Sequence, residues 1–157
     1  LAMERIRRAG AQLVDSSPLD RGDVGFRVLR LDDTNIRDVL RTPDELEQEE
    51  LALYTSSVRE DRTDEDLLFQ VLLDWGLDLA APIAIESIAE QTVSIVDDGA
   101  LIACFADPVT VEVISAIAER QPLRAVFRDS AFESDADRIN AEQVFREKSP
   151  GTEVKSI

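Results

Sequence analysis

Ala100-Leu101-Ile102-Ala103-Cys104-Phe105 and, further on, Leu123-Arg124-Ala125-Val126-Phe127 are two apolar runs that read as strands. Between them Val113, Ile114 and Ile117 recur at helical spacing, and Asp107-Pro108 reads as the start of that helix. A strand, a helix and a strand of this length make a parallel crossover, normally right-handed. Working outward, residues 134–148 read as a last helix with Ile139 and Phe145 inward. Pro150-Gly151 ends that helix, and residues 153–157 form a final short strand.

On the N-terminal side, residues 83–87 and 92–96 are further strand candidates. Asp98-Gly99 suits a hairpin turn, because both positions tolerate positive φ. Two helices precede them. Thr42-Pro43-Asp44-Glu45 opens the first, with Leu46, Leu53, Tyr54 and Val58 following at helical spacing. Thr63-Asp64-Glu65-Asp66 opens the second, its acids placed well against the helix dipole. Leu67, Leu68, Val71, Leu72 and Trp75 form the buried stripe, and Gly76 is the stop. At the N-terminus, residues 3–13 read as a short helix with Met3, Ile6 and Leu13 on one side. Residues 15–25 are turn-rich, and Phe26-Arg27-Val28-Leu29-Arg30-Leu31 alternates with period two across most of its length, which suits a strand with one wet face. The expected fold class is α/β, with α+β as the alternative: a small mixed sheet of about five strands with helices packed on it. The expected organisation is a C-terminal helix of an upstream fold over 1–14, a linker over 15–23 and an α/β domain over 24–157.

The chain has 157 residues, 44% of them hydrophobic, which is enough to bury a core. It begins at Leu1 rather than Met, so we expect sequence upstream of it. A lone cysteine, Cys104, cannot form an internal disulfide, and no apolar run is long enough to span a bilayer, so the expected location is cytoplasmic. The net charge is −16, from 33 acidic and 17 basic residues, and such a domain repels a phosphate backbone. The charge is uneven: residues 1–30 hold six arginines against four acids, leaving 11 basic and 29 acidic residues in the rest.

Chemistry is sparse. There is no histidine, which removes Ser-His-Asp and Cys-His nucleophile systems and most zinc sites. Cys104 sits in an apolar strand as a small buried hydrophobe. Gly22 and Gly25 follow no strand and cradle no phosphate. Asp97 and Asp98 are paired carboxylates that could bind Mg²⁺, but beside Gly99 they suit a turn better. Asp129 follows a strand of parallel type, where α/β sheets place ligand groups; the plainer reading is an exposed strand-end carboxylate. Glu45 to Glu50 reads as a solvated helix face. Arg5, Arg7 and Arg8 could touch DNA phosphate or an interface, or make salt bridges to the acidic remainder.

Longer blocks carry a resemblance. Glu4-Arg5-Ile6-Arg7-Arg8-Ala9-Gly10, Gly25-Phe26-Arg27-Val28-Leu29-Arg30-Leu31-Asp32 and Glu60-Asp61-Arg62-Thr63 leading into Asp66-Leu67-Leu68-Phe69-Gln70-Val71-Leu72-Leu73-Asp74-Trp75-Gly76-Leu77 are three of them. Ala103-Cys104-Phe105, Ala125-Val126-Phe127-Arg128-Asp129-Ser130 and Ser149-Pro150-Gly151-Thr152-Glu153-Val154-Lys155 extend the set over nearly the whole chain. Together they resemble the C-terminal region of the modification (Mod) subunits of type III restriction–modification systems. The resemblance implies a parent that is an adenine-specific DNA methyltransferase, transferring a methyl group from S-adenosylmethionine to adenine N6. It also implies a second Mod subunit and a helicase–nuclease (Res) subunit as partners, with DNA held by the parent's other domains and no membrane involved.

The family's Asp-Pro-Pro-Tyr and Phe-x-Gly-x-Gly-type motifs are upstream of the arginine-rich helix and are not in this chain. Asp107-Pro108-Val109-Thr110 shares two letters with the first but lacks the ring that stacks on a flipped base. No catalytic, cofactor-binding or metal-binding residue is therefore carried over, and the expected role is non-catalytic assembly. The alternatives are a stand-alone acidic α/β binding protein or DNA-mimicking regulator, and, third, a Mg²⁺-dependent enzyme using Asp97, Asp98 or Asp129.

Overall fold

The computed structural model describes residues 2–16, 23–36 and 58–157. They fall into two compact units, Leu1–Asp32 and Asp33–Ile157.

The first unit contains helix α1, Ala2–Ser16. Its one buried residue is Gly10, and a Cβ there would lie 3.2 Å from the Cβ of Val24. The absence of a side chain lets the 24–26 stretch pass close over the helix. Arg7 reaches the same stretch, its guanidinium 5.9 Å from the Phe26 ring centroid. Residues 26–31 are not a strand, contrary to their alternation. Alternation marks a pattern of faces, but a strand also needs a ladder partner, and the neighbour here is a helix. The Met3, Ile6 and Leu13 side of α1 is not buried either; these residues are 45%, 47% and 62% exposed.

The second unit is a mixed α/β layer structure. Helix α2, Asp64–Asp74, starts at a reciprocal capping box. Asp66 N donates to Thr63 Oγ1 at 3.2 Å, and Thr63 N donates to Asp66 Oδ2 at 2.9 Å. The helix ends at Trp75, and Gly76 takes φ 65°, the left-handed stop expected of glycine. Strands β1, Ile83–Ile88, and β2, Gln91–Val96, form an antiparallel hairpin. A short 3₁₀ turn, Asp97–Gly99, leads into β3, Leu101–Cys104, antiparallel to β2. Helix α3, Val111–Glu119, then crosses to β4, Arg124–Phe127, parallel to β3. Helix α4, Asp135–Lys148, crosses to β5, Glu153–Ser156, parallel to β4. The sheet order is simply β1-β2-β3-β4-β5.

Alternation along the strands divides the core. Ile102, Cys104, Ala125 and Phe127 face α3 and α4, joining Val113, Ile117 and Phe145. Leu101, Ala103 and Val126 face the other way, joining Leu67, Leu68, Val71 and Leu72 of α2. Both faces of β3 and β4 are thus covered, which is why these strands read as continuous apolar runs. Phe127, 1% exposed, sits 5.9 Å from the Phe145 ring and 6.1 Å from the Phe132 ring; burying one such side chain contributes about 1.5–3 kcal/mol.

Three further expectations are corrected. Asp107-Pro108 does not start α3: that peptide bond is cis, and Thr110 is the N-cap, its hydroxyl accepting from Val113 N at 3.4 Å. The preceding residues are committed to loop contacts, with Val109 N donating to the Ala131 carbonyl and Pro108 O accepting from Gln91. Ile139 is not inward but 62% exposed; it lies six positions from Phe145, about 240° around the helix, and the buried face is Ala141 and Phe145. Val58 is not helical; it is buried in an isolated bridge with Ile36. The remainder of the expected helix from Thr42, with Leu46, Leu53 and Tyr54, and the 45–50 acidic run lie outside the described residues.

Candidate functional site

Arg5, Arg7 and Arg8 all sit on exposed α1 positions, and they do not act as one cluster. Arg7 is turned to Phe26. Arg8 Nε donates to Glu4 Oε1 at 2.9 Å, one turn earlier, with both side chains more than half exposed. Such a pair contributes only about 0.3–0.5 kcal/mol. Around them the first unit leaves much apolar surface in solvent: Met3, Ile6, Leu13 and Val14 on the helix, then Val28, Leu29 and Leu31, the last 96% exposed. Apolar side chains grouped with arginines in this way are the composition of a protein interface.

The aspartates are dispersed. Asp97 and Asp98 are exposed in the β2–β3 turn, at φ 48° and 52°. Asp129 opens a second 3₁₀ turn, Asp129–Ala131, beyond the C-terminal end of β4, and its backbone N donates to the Ile157 carbonyl at 2.8 Å. The β2–β3 turn leads into the N-terminal end of β3, which runs parallel to β4, so the two groups lie at opposite ends of the sheet and share no site. Asp129 Oδ1 accepts from Arg138 Nη1 at 3.1 Å, and Arg138 Nη2 is 3.6 Å from Asp135 Oδ1. An open hollow of about 400 Å³ lies here, lined by Phe132, Glu133 and Ser134 besides this ion-paired set. Its carboxylates are partly neutralised by Arg138, and the Ser134 hydroxyl is used to cap α4 through Asp137 N. Among the described residues no group of three or more His, Cys, Asp or Glu could hold a metal ion.

Cys104 is fully buried in β3. Burial pushes its thiol above the ordinary value of 9.0, with a smaller push from Asp64, while a hydrogen bond with the Ala106 backbone opposes them. A protonated, inaccessible thiol is no nucleophile.

Two arrangements were not legible from sequence. Trp75, the only tryptophan, has both Arg124 and Lys155 at 5.3 Å from its ring centroid, tying the end of α2 to β4 and β5. Arg128 has a buried Nε without a hydrogen-bond partner among the described residues. Neither leaves a local signal, because each depends on strands distant in the chain. No helix among the described residues is long and apolar enough to cross a membrane. No protein-family model matches the chain, and no curated protein matches it.

Proposed function

We propose that this chain is the non-catalytic C-terminal assembly region of a type III Mod subunit, a cytoplasmic site-specific DNA (adenine-N6) methyltransferase of a restriction–modification system. The reading rests on the sequence blocks that resemble that family. The observation that supports an assembly role is the exposed apolar and cationic surface of the first unit, where Met3, Ile6, Leu13 and Val14 accompany Arg5 and Arg8. In this reading α1 packs its apolar side on the methyltransferase fold, which holds S-adenosylmethionine. The second unit then contacts the second Mod subunit or Res. With a chain charge of −16 it stays off DNA phosphate and suits a basic protein surface.

Deletion of residues 24–157 from the full subunit tests this. Loss of Mod dimerisation or of Res binding is expected in a co-purification assay, with S-adenosylmethionine binding retained. Dimerisation and Res binding both intact would overturn the reading.

A further inference from the structure

We propose that residues 28–31 of one copy of the chain add as a further strand to the outer edge of β1 in a second copy. This deepens the assembly role above and rests on it only in taking a second copy as partner.

The segment has most of the pattern of a strand and no ladder partner among the described residues. Phe26 to Leu31 alternates with period two over most of its length, broken at Val28-Leu29, yet residues 28–31 carry no regular secondary structure and form no hydrogen bond among the described residues. Val28, Leu29 and Leu31 are 64%, 51% and 96% exposed.

Among the described residues the edge is equally unfilled. β1 is the terminal strand of the sheet, six residues long, with Glu86 its one charge and Ile85 73% exposed. The opposite edge is guarded: β5 has only four residues, and its Glu153 and Lys155 are charged. An unguarded β-branched edge invites strand addition.

The two fit by charge and by face. An antiparallel register that sets Arg30 opposite Glu86 also sets Leu31 opposite Ile85, Leu29 opposite Ser87 and Val28 opposite Ile88. Apolar side chains then meet on the Ile85 face, and Arg30 joins Glu86, which already pairs with Arg120 at 2.8 Å. Further acids flank the edge, Glu90 at one end and Asp97 and Asp98 at the other. Although each copy has a net charge of −16, the contact joins the arginine-rich first 30 residues of one to an acidic border of the other. Exchanged reciprocally, the segment gives two identical contacts and a closed dimer.

The test mixes two full-length chains, each also carrying Cys104→Ala: one with Leu31→Cys, the other with Ile85→Cys. Both positions are exposed, so folding is not at risk. Oxidation is expected to give a disulfide-linked heterodimer, well above the yield with Leu123→Cys, an exposed control position, as partner. Leu29→Pro, which removes a ladder donor, is expected to weaken the wild-type dimer about tenfold in sedimentation equilibrium. A chain that sediments as a monomer at every concentration overturns the proposal. A dimer that gives no preferential Leu31–Ile85 cross-link and is unmoved by Leu29→Pro also overturns the strand exchange, while leaving the assembly role standing.

Discussion

Gln91 Nε2 donates to the Pro108 carbonyl at 2.6 Å, fastening the first residue of β2 to the loop between β3 and α3. Its Oε1 accepts from Thr110 N at 3.4 Å, at the N-cap of α3, and lies 4.0 Å from Cys104 Sγ. One amide therefore holds the loop from which the first parallel crossover departs. Gln91→Ala is expected to cost about 1–2 kcal/mol in urea denaturation. Gln91→Glu keeps an acceptor for Thr110 but faces the Pro108 carbonyl with a carboxylate, and is expected to cost at least as much. An unchanged midpoint in both variants would show that the clasp contributes nothing.

Cys104 links pH to stability. Its thiol keeps its proton in the folded chain to a higher pH than in the unfolded one, chiefly because it is buried. Below the ordinary thiol range both states are protonated and the contribution is complete. As pH rises past the unfolded value the unfolded chain alone loses the proton, so stability falls by up to about 1.4 kcal/mol per pH unit until the folded thiol also ionises. Comparing wild type with Cys104→Ala between about pH 8 and 10 isolates this slope. The wild type is expected to lose its advantage over that range, and its thiol to resist an exposed-thiol reagent until the chain unfolds. A constant difference between the two proteins would contradict the assignment.

What was legible in the sequence was what neighbours in the chain decide. Thr63 and Asp66 satisfy each other three residues apart, and Leu67, Leu68, Val71 and Leu72 record one helix face, so α2 could be read directly. The apolar runs at 100–105 and 123–127 could be read as strands; that both their faces are covered appears only once α2, α3 and α4 are in place. Residues 26–31 show the limit, because a period-two pattern does not supply a pairing partner. Thr110 was hidden as an N-cap because Gln91, 17 residues from Pro108, draws the preceding loop elsewhere. The candidate acids behaved likewise: Asp97 and Asp98 were legible as turn residues beside Gly99, whereas the pairing of Asp129 with Arg138 depends on how α4 returns over the end of β4.

The β1–β2 turn is built from residues that do not favour it. The register pairs Ile88 with Gln91, leaving Ala89 and Glu90 as a two-residue connection at φ 48° and 65°. A left-handed conformation costs an L-residue about 1–2 kcal/mol, and glycine escapes it. Glu90→Gly is therefore expected to stabilise the chain by about 0.5–1 kcal/mol, part of the gain being returned as unfolded-state entropy. Thermal unfolding of Glu90→Gly beside Glu90→Ala separates backbone relief from loss of charge: only the glycine should raise the midpoint. Equal midpoints would mean that residue 90 is not held in this conformation.

Arg128 closes β4 with a buried Nε that no described residue accepts from. Removing a donor from water without a replacement acceptor costs about 1–3 kcal/mol, so this arginine opposes the fold locally. It follows the last residue of β4 and precedes the 3₁₀ turn Asp129–Ala131. Arg128→Met keeps the length of the aliphatic stem and discards the orphan donor. It is expected to raise the unfolding free energy by about 1 kcal/mol in urea denaturation. Arg128→Lys, which moves the charge to a flexible end able to reach water, is expected to fall between wild type and Met. A destabilised Arg128→Met would instead show that the guanidinium is held by a favourable interaction within the fold.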